Sequence, residues 1–210
     1  MMIRRLAFTE DPELLEILQD VTVLIVPSFN GDGRAANTRG NSTGQDLNRD
    51  HGRTSQPETQ TFARFVRDYT PDVMVDGHEF GNNNTCDLPL LWPRHSNTPP
   101  PIHDESKEGL VEGWFYSQAA VDGWWPCPYP LQGIQGASSF TRVHGLKNMI
   151  VTLVEARSSG GPTRPGEGNT SSQTNRRRKG YSQMWAIETA LRYRHANLEQ
   201  VNQALEDGVT

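Results

Sequence analysis

Two ionisable side chains follow apolar runs, in positions where they could carry out chemistry. The apolar run 73–75 leads into Asp76 and His78, and the apolar run 148–156, "NMIVTLVEA", contains Glu155 near its end. Such runs are typical of strands buried in an α/β sheet, and sites in these folds collect at the carboxyl edge of the strands. Because a neutral imidazole is a common metal ligand, we interpret His78 as a candidate ligand rather than a structural histidine.

A third apolar run and a long polar loop extend this pattern. Residues 21–27, "VTVLIVP", are apolar and rich in β-branched side chains, which predicts another buried strand. The loop that follows, residues 28–54, is rich in Asn, Asp and Arg, and loops of this length are commonly functional. If the three strands are parallel neighbours, residues 30–49, His78 and Glu155 lie along one edge of the sheet.

Helices are needed to hold these strands in place, and the sequence predicts several. Residues 2–6 look like the end of one helix, and Asp11 is a good N-cap for a second. Ser55 and Glu58 form a capping box before a helix of about four turns. An amphipathic helix is predicted over residues 106–122.

The order of strands and helices predicts an α/β fold. We expect a mixed, mostly parallel sheet with helices on both faces, in a single domain over residues 1–210. The chain ends in a predicted helix over residues 181–206. The apolar face of that helix comprises Met184, Ile187, Leu191 and Leu198.

Composition limits the function classes. A net charge of −5 gives no reason to expect nucleic-acid binding, and no apolar run approaches the roughly 20 residues that span a bilayer. The basic run 175–180, "NRRRKG", is interpreted as a solvated helix entrance. Residues 1–20 lack a signal-peptide pattern, which leaves the localisation open, and Cys86 and Cys127 could be paired or reduced.

Five motifs, in this order, resemble those of the M14 family of zinc carboxypeptidases, the carboxypeptidase A-like enzymes. The Arg-x-Asn-x-x-Gly-x-Asp-Leu-Asn-Arg string is the most specific of them. The motifs are Asn30-Gly31-Asp32-Gly33, Arg39-x-Asn41-x-x-Gly44-x-Asp46-Leu47-Asn48-Arg49, Gln56-Pro57-Glu58-Thr59, Asp76-Gly77-His78 and Val154-Glu155-Ala156-Arg157.

The resemblance implies hydrolysis of the C-terminal peptide bond of a peptide by zinc-activated water. It assigns His78 as a zinc ligand, Glu155 as the general base and Arg39 as the residue that stabilises the oxyanion. Asn48 and Arg49 resemble the clamp that binds the free C-terminal carboxylate of the peptide substrate.

The sequence also departs from the family pattern. The first zinc motif of the family, His-x-x-Glu, does not occur in the chain, so only His78 of three expected ligands is present. We therefore expect an N-terminally incomplete and inactive form of the enzyme. The mobile tyrosine of the family has no clear equivalent, Tyr129 being the nearest.

Several alternatives remain open at this point. The enzyme could be an acyl-amino-acid deacylase of the desuccinylase or aspartoacylase type, or the chain could be a non-catalytic relic that binds carboxylates. Arg49 could form a surface ion pair, and Glu155 could pair with Arg157. Asp76 either orients His78 or is a turn residue.

Two further expectations concern side chains outside these motifs. Glu79 is predicted to point away from His78, because neighbouring residues of a strand face opposite sides of the sheet. The other histidines show no metal-ligand spacing and are expected to be solvated. They are His51, His95, His103, His144 and His195.

Overall fold

A computed structural model of the chain describes residues 2–80, 86–129, 138–157 and 172–209. Its helices in chain order are α1 (Met2–Ala7), α2 (Pro12–Asp20), α3 (Gly31–Ala36), α4 (Pro57–Tyr69), α5 (Pro100–Asp104), a π-helical segment (Glu105–Phe115), α6 (Tyr116–Asp122), α7 (Phe140–Leu146), α8 (Ser172–Ala196) and α9 (Leu198–Asp207). No helix in these ranges is long and apolar enough to cross a membrane.

Within the same residues the sheet has the strands β1 (Val73–Phe80), β2 (Leu88–Leu91), β3 (Pro126–Pro128) and β4 (Ile150–Arg157), in the order β1-β4-β2-β3. β1 runs parallel to β4, and β2 runs parallel to β3, whereas β2 is antiparallel to β4. The sheet is therefore mixed and mostly parallel, as the sequence predicts. β1 and β4 are the two strands predicted at 73–75 and 148–156, and β2 and β3 were not predicted.

Helices cover both faces of the sheet, because alternate residues of β4 point to opposite sides. Ile150 and Val154 belong to the core cluster that contains Leu110 and Ala190. Val151 faces the other side, where it belongs to a cluster with residues from α4 and α7. This arrangement confirms the predicted layers.

The segment 21–27 was predicted to be a strand, and this prediction is wrong. Val21 and Ile25 are half-buried against a core cluster formed by α1, α2 and α8, whereas Leu24 and Val26 are exposed. The β-branched composition favours an extended chain, but a strand also requires a backbone partner. Among the described residues the segment pairs with none of the sheet strands.

The N-terminus of α4 also differs from its prediction. The helix begins at Pro57, and Ser55 does not cap it. Asp50 instead binds the donors at the start of this helix. Its carboxylate accepts hydrogen bonds from the Gln56 N–H at 2.9 Å and from the hydroxyls of Ser55 and Thr59. Burial raises the pKa of Asp50, but these hydrogen bonds outweigh it and lower the pKa to about 2.

The predicted helix over residues 181–206 is two helices, α8 and α9, separated at Asn197. Leu191 packs in the core with α1 and α2, but Leu198 is exposed and does not share its face. The other helical predictions are confirmed: Asp11 caps α2, and the segment 106–122 is helical.

A disulfide joins Cys86, just before β2, to Cys127 in β3. It encloses the helical segment that runs from α5 to α6. The sequence left this pairing open.

Two histidines predicted to be solvated are buried. His51 and His144 are 5% and 1% exposed, and their ring nitrogens lie 3.4 Å apart among Phe29, Phe62 and Phe140. Their burial was missed because the aromatic partners come from four separate segments of the chain. Burial lowers the pKa of His51 to about 4 and, together with the charge on His51, lowers the pKa of His144 to about 3.

This buried pair predicts a pH-dependent stability. Unfolding exposes both imidazoles, whose pKa values return to about 6.5, so the unfolded state binds more protons below that pH. The free energy of unfolding should therefore fall as the pH drops from about 6.5 towards 4. His144→Phe should reduce this slope by about 1.4 kcal/mol per pH unit near pH 5, measured by urea denaturation.

The control for this prediction is Phe140→Leu. It disturbs the same cluster without removing a titrating group, so it should lower stability at every pH and leave the slope unchanged. An unchanged slope in His144→Phe would contradict the buried, neutral state of the pair.

Candidate active site

His78 and Glu155 are direct neighbours in the sheet. The parallel register of β1 and β4 pairs Val73 with Ile150 and, five residues on, His78 with Glu155. Both side chains lie on the α4 and α7 face of the sheet, since residues separated by an even number share a face. His78 and Glu155 therefore lie side by side, as predicted from the sequence.

Asp76 lies on the same face and contacts His78. Its Oδ2 is 3.0 Å from the His78 Nε2, which leaves Nδ1 as the ring nitrogen available to a metal. Burial lowers the pKa of His78, but the carboxylates of Asp76 and Glu155 outweigh this and raise it to about 9. Asp76 therefore orients the imidazole and is not merely a turn residue.

Glu155 is 4% exposed, and its Oε2 has no hydrogen-bond partner within the described part of the chain. Burial raises the pKa of Glu155 to about 7; the positive charge of His78 opposes this shift, and the negative charge of Asp76 reinforces it. An unpartnered carboxylate oxygen with a pKa near neutrality can accept and return a proton. The side chain of Arg157, the alternative partner of Glu155, lies outside the described residues.

Asn48 connects the polar loop to His78. It lies in a short 3₁₀ turn (Leu47–Arg49) whose N-cap is Asp46. Its Nδ2 is 3.3 Å from the His78 Nε2, and its Oδ1 accepts a hydrogen bond from the Phe140 N–H at 2.9 Å. Since the Nε2 proton is donated to Asp76, Nε2 cannot accept from Asn48, and within the described part of the chain the Asn48 Nδ2 has no other acceptor.

The two arginines lie less deep than these residues. Arg39 is mostly exposed and pairs with Asp46 at 2.8 Å, and its charge acts on the pKa of both His78 and Glu155. Arg49 is half-buried, and its Nη1 donates to the Asn48 carbonyl at 2.8 Å. Arg49 does not form the surface ion pair considered above, within the residues that the structure describes.

The spacing Asn41-x-x-Gly44 has a structural cause. Asn41 is 7% exposed, and its Oδ1 accepts hydrogen bonds from the backbone N–H groups of Thr43 and Gln45. Gly44 completes this turn with a φ of 77°, a conformation that favours glycine. The motif thus folds the loop that presents Asn48.

The Gln-Pro-Glu-Thr motif supports the same loop. The Asn41 Nδ2 donates to Gln56 at 3.0 Å and to Glu58 at 3.3 Å, at the start of α4. Thr59 donates to Asp50, which follows the 3₁₀ turn. Two of the sequence motifs therefore form one polar scaffold, in which Glu58 binds the loop rather than capping the helix.

Gln183 is a residue of the site that the sequence did not indicate. From α8, its Nε2 donates to the carbonyl oxygens of His78 at 2.9 Å and Val154 at 3.0 Å. Gly77 admits this side chain, because a Cβ at position 77 would lie 2.8 Å from the Gln183 Oε1. The glycine of Asp76-Gly77-His78 is thus explained by the close approach of α8.

Two other expectations have an outcome. As predicted, Glu79 points away from His78. Its carboxylate pairs with Lys179 of α8 at 2.9 Å. Tyr129 is buried in a core cluster with Leu91 and Leu153, which does not fit the role of a mobile tyrosine.

A metal ion at this site would be held by His78. In the described ranges, no three His, Cys, Asp or Glu side chains are grouped so that they could hold a metal. His78, with Asp76 behind it, has the chemistry of one zinc ligand, and these residues do not supply a complete ligand set.

Comparisons with known proteins identify a family and a similar fold. The profile of the zinc carboxypeptidase family, Peptidase_M14, matches residues 1–110. Among solved structures, the chain is similar to a metallo-carboxypeptidase from Pseudomonas aeruginosa in complex with (2-guanidinoethylmercapto)succinic acid, with a TM-score of 0.68 and 19% identity. The alignment covers 95% of this chain and 52% of that one, so the chain spans about half the length of that relative. No curated protein matches the sequence.

The contact between Gly77 and Gln183 predicts a specific coupling. Gly77→Ala should displace Gln183 and break its two hydrogen bonds, lowering the free energy of unfolding by about 1–3 kcal/mol. In a Gln183→Ala background, the same substitution should cost little, because the obstructing side chain is gone. Urea denaturation of the single and double variants measures this non-additivity.

Gly180→Ala in α8 is the control, since a Cβ there meets no atom within 4 Å. It should be neutral or stabilising, as alanine is the better helix former. Additive effects of Gly77→Ala and Gln183→Ala would refute the proposed contact.

Proposed function

The chain belongs to the zinc carboxypeptidase family, and on that basis we propose that it is a metallocarboxypeptidase acting on peptides with a free C-terminal carboxylate. The observation that carries the proposal is the pairing of His78 with Glu155 across β1 and β4. This pairing sets a metal-ligating imidazole beside a buried carboxylate with an unpartnered oxygen.

The first step of the proposal concerns the metal. Zinc, when bound, would act as a Lewis acid on the scissile carbonyl and lower the pKa of a water molecule. His78 contributes its Nδ1, and Asp76 fixes the orientation of the ring by accepting from Nε2. The Asn48 Nδ2 lies 3.3 Å from the same ring nitrogen, on the loop side.

Glu155 then serves as the general base. Its carboxylate takes the proton from the attacking water and returns it to the leaving amine. Burial keeps bulk water away from this proton path. Arg39, at the rim, contributes positive charge towards the oxyanion.

Substrate orientation falls to Asn48 and Arg49. The free Nδ2 hydrogen of Asn48 and the remaining guanidinium donors of Arg49 can bind the two oxygens of a C-terminal carboxylate. The hydrogen bond from Arg49 to the Asn48 backbone carbonyl holds the guanidinium against the 3₁₀ turn that carries both residues. A free carboxylate is thus distinguished from an amide by its charge.

Two substrate classes test the proposal. Because the described residues supply one zinc ligand, the assay uses a form of the enzyme that also carries the His-x-x-Glu ligands and has zinc bound. Its substrates are a peptide bearing a free C-terminus and an N-acyl amino acid, whose hydrolysis would indicate the deacylase alternative. Release of the C-terminal amino acid from the peptide supports the carboxypeptidase. Preferential hydrolysis of the N-acyl amino acid would replace the carboxypeptidase activity with that of a deacylase. If zinc-bound protein hydrolyses neither substrate, carboxylate binding is the function that remains.

A variant of Glu155 tests the role of the base. Glu155→Gln keeps the shape of the side chain but cannot accept a proton, so kcat should fall about a hundredfold to ten thousandfold with KM nearly unchanged. Glu79→Gln is the matched control on the opposite face of β1, and its activity should stay close to wild type. More than about a tenth of the wild-type kcat in Glu155→Gln would remove Glu155 from this role.

A variant of Arg49 tests carboxylate recognition. Arg49→Ala should lower kcat/KM for free-acid peptides by an amount equivalent to about 2–5 kcal/mol, while C-terminally amidated peptides, already poor substrates, change little. Arg53→Ala removes an exposed arginine nearby and should have no effect on either substrate. If the wild type cleaves acid and amide equally well, the carboxylate clamp is wrong.

A further inference from the structure

A pocket of about 360 Å³ lies at the start of α5. Six of its lining residues are Arg94, His95, Ser96, Thr98, His103 and Asp104. Its volume is within the range of small-molecule sites.

The pocket is remote from His78 and Glu155. β2 runs antiparallel to β4 and pairs Leu90 with Val154 and Leu91 with Leu153, so the chain beyond β2 heads towards the N-terminal end of β4. Pro93 meets Gly145, in the segment just before β4, which places Arg94 near that end. Glu155 is near the opposite end of the strand.

Arg94 is fixed in this pocket and has no anionic partner among the residues that the structure describes. Its guanidinium carbon lies 4.4 Å from the centre of the Trp92 ring, a cation–π contact that orients the group. Within the described part of the chain, no carboxylate lies within ion-pair distance of Arg94. Burial and the nearby positive charge of Arg142 lower its pKa, so a second guanidinium acts on the same place.

The other groups of the pocket add donors and one carboxylate, that of Asp104. Thr98 is 7% exposed, and its hydroxyl has no hydrogen-bond partner among the described residues. The His95 Nδ1 accepts from the Asn97 N–H at 3.1 Å, which leaves the proton of the neutral ring on Nε2. The carboxylate of Asp104 is paired with the His103 Nδ1 at 2.9 Å.

A buried hydroxyl without a partner among the described residues and an oriented guanidinium together favour a ligand that supplies acceptors. We propose that this pocket binds a phosphate group, free or as a monoester. A phosphate carries several acceptor oxygens and up to two negative charges, which match a planar guanidinium, a second arginine and a hydroxyl. A single carboxylate offers fewer oxygens and one charge.

The test is a titration of the full chain with inorganic phosphate at constant ionic strength, followed by amide NMR and calorimetry. Saturable shifts of the amides of residues 94–98 and 102–104 are expected. Titration with O-phosphoserine shows whether a monoester is accepted, and titration with acetate should give binding at least tenfold weaker. Equal binding of acetate would overturn the assignment to phosphate.

Variants locate the binding. Arg94→Gln should weaken phosphate affinity about tenfold to a hundredfold, because a charge-assisted hydrogen bond is lost. Arg142→Gln, on α7, should weaken phosphate affinity as well. It replaces Arg94→Gln as the test variant if Arg94→Gln does not fold. Arg64→Gln, on α4, and Arg49→Ala, in the candidate active site, are the controls and should leave the affinity unchanged.

Two results would overturn the proposal. One is the absence of saturable binding in the wild type. The other is a loss of affinity in Arg49→Ala equal to that in Arg94→Gln, together with amide shifts at residues 39–49, which would assign the phosphate to the candidate active site instead.

Discussion

The parallel pairing of β1 with β4 is the constraint on which the candidate site depends. It aligns His78 with Glu155 and sends both side chains to one face of the sheet. A slip of one residue in this register would turn one of the two to the opposite face. Gln183 fastens the strands at this point by binding a carbonyl of each, and Gly77 provides the space for it.

The second half of the site is held by polar contacts rather than by apolar packing. Asn41 and Asp50 each satisfy several hydrogen-bond partners, and both connect the loop to the start of α4. Asn48 then joins the loop to His78 and to α7. A network of this kind fixes direction more strictly than apolar contacts do, because each donor requires a particular acceptor.

Sequence patterns predicted the parts of this structure that depend on residues close together in the sequence. His78 and Glu155 were found because each follows an apolar run that forms a buried strand, and the motif around Asn41 marked the loop. Gln183 could not be found in this way, since it meets His78 across 105 positions of sequence. The wrong prediction of a strand at residues 21–27 has a related cause. β-branched side chains favour an extended backbone, but a strand also needs a second strand to which its backbone can hydrogen-bond. His51 and His144 show the same limit, because their burial follows from packing between distant segments.

The disulfide between Cys86 and Cys127 has a consequence for folding. It joins positions 41 residues apart and encloses the helical segment from α5 to α6, including the pocket around Arg94. Closing a loop of this length removes conformational entropy from the unfolded chain worth about 4 kcal/mol in the chain-entropy treatment. That amount is a large share of the free energy that holds a domain together, about 5–15 kcal/mol. The thiol–disulfide balance of the surroundings is therefore coupled to how firmly the short strands β2 and β3 stay attached to the sheet.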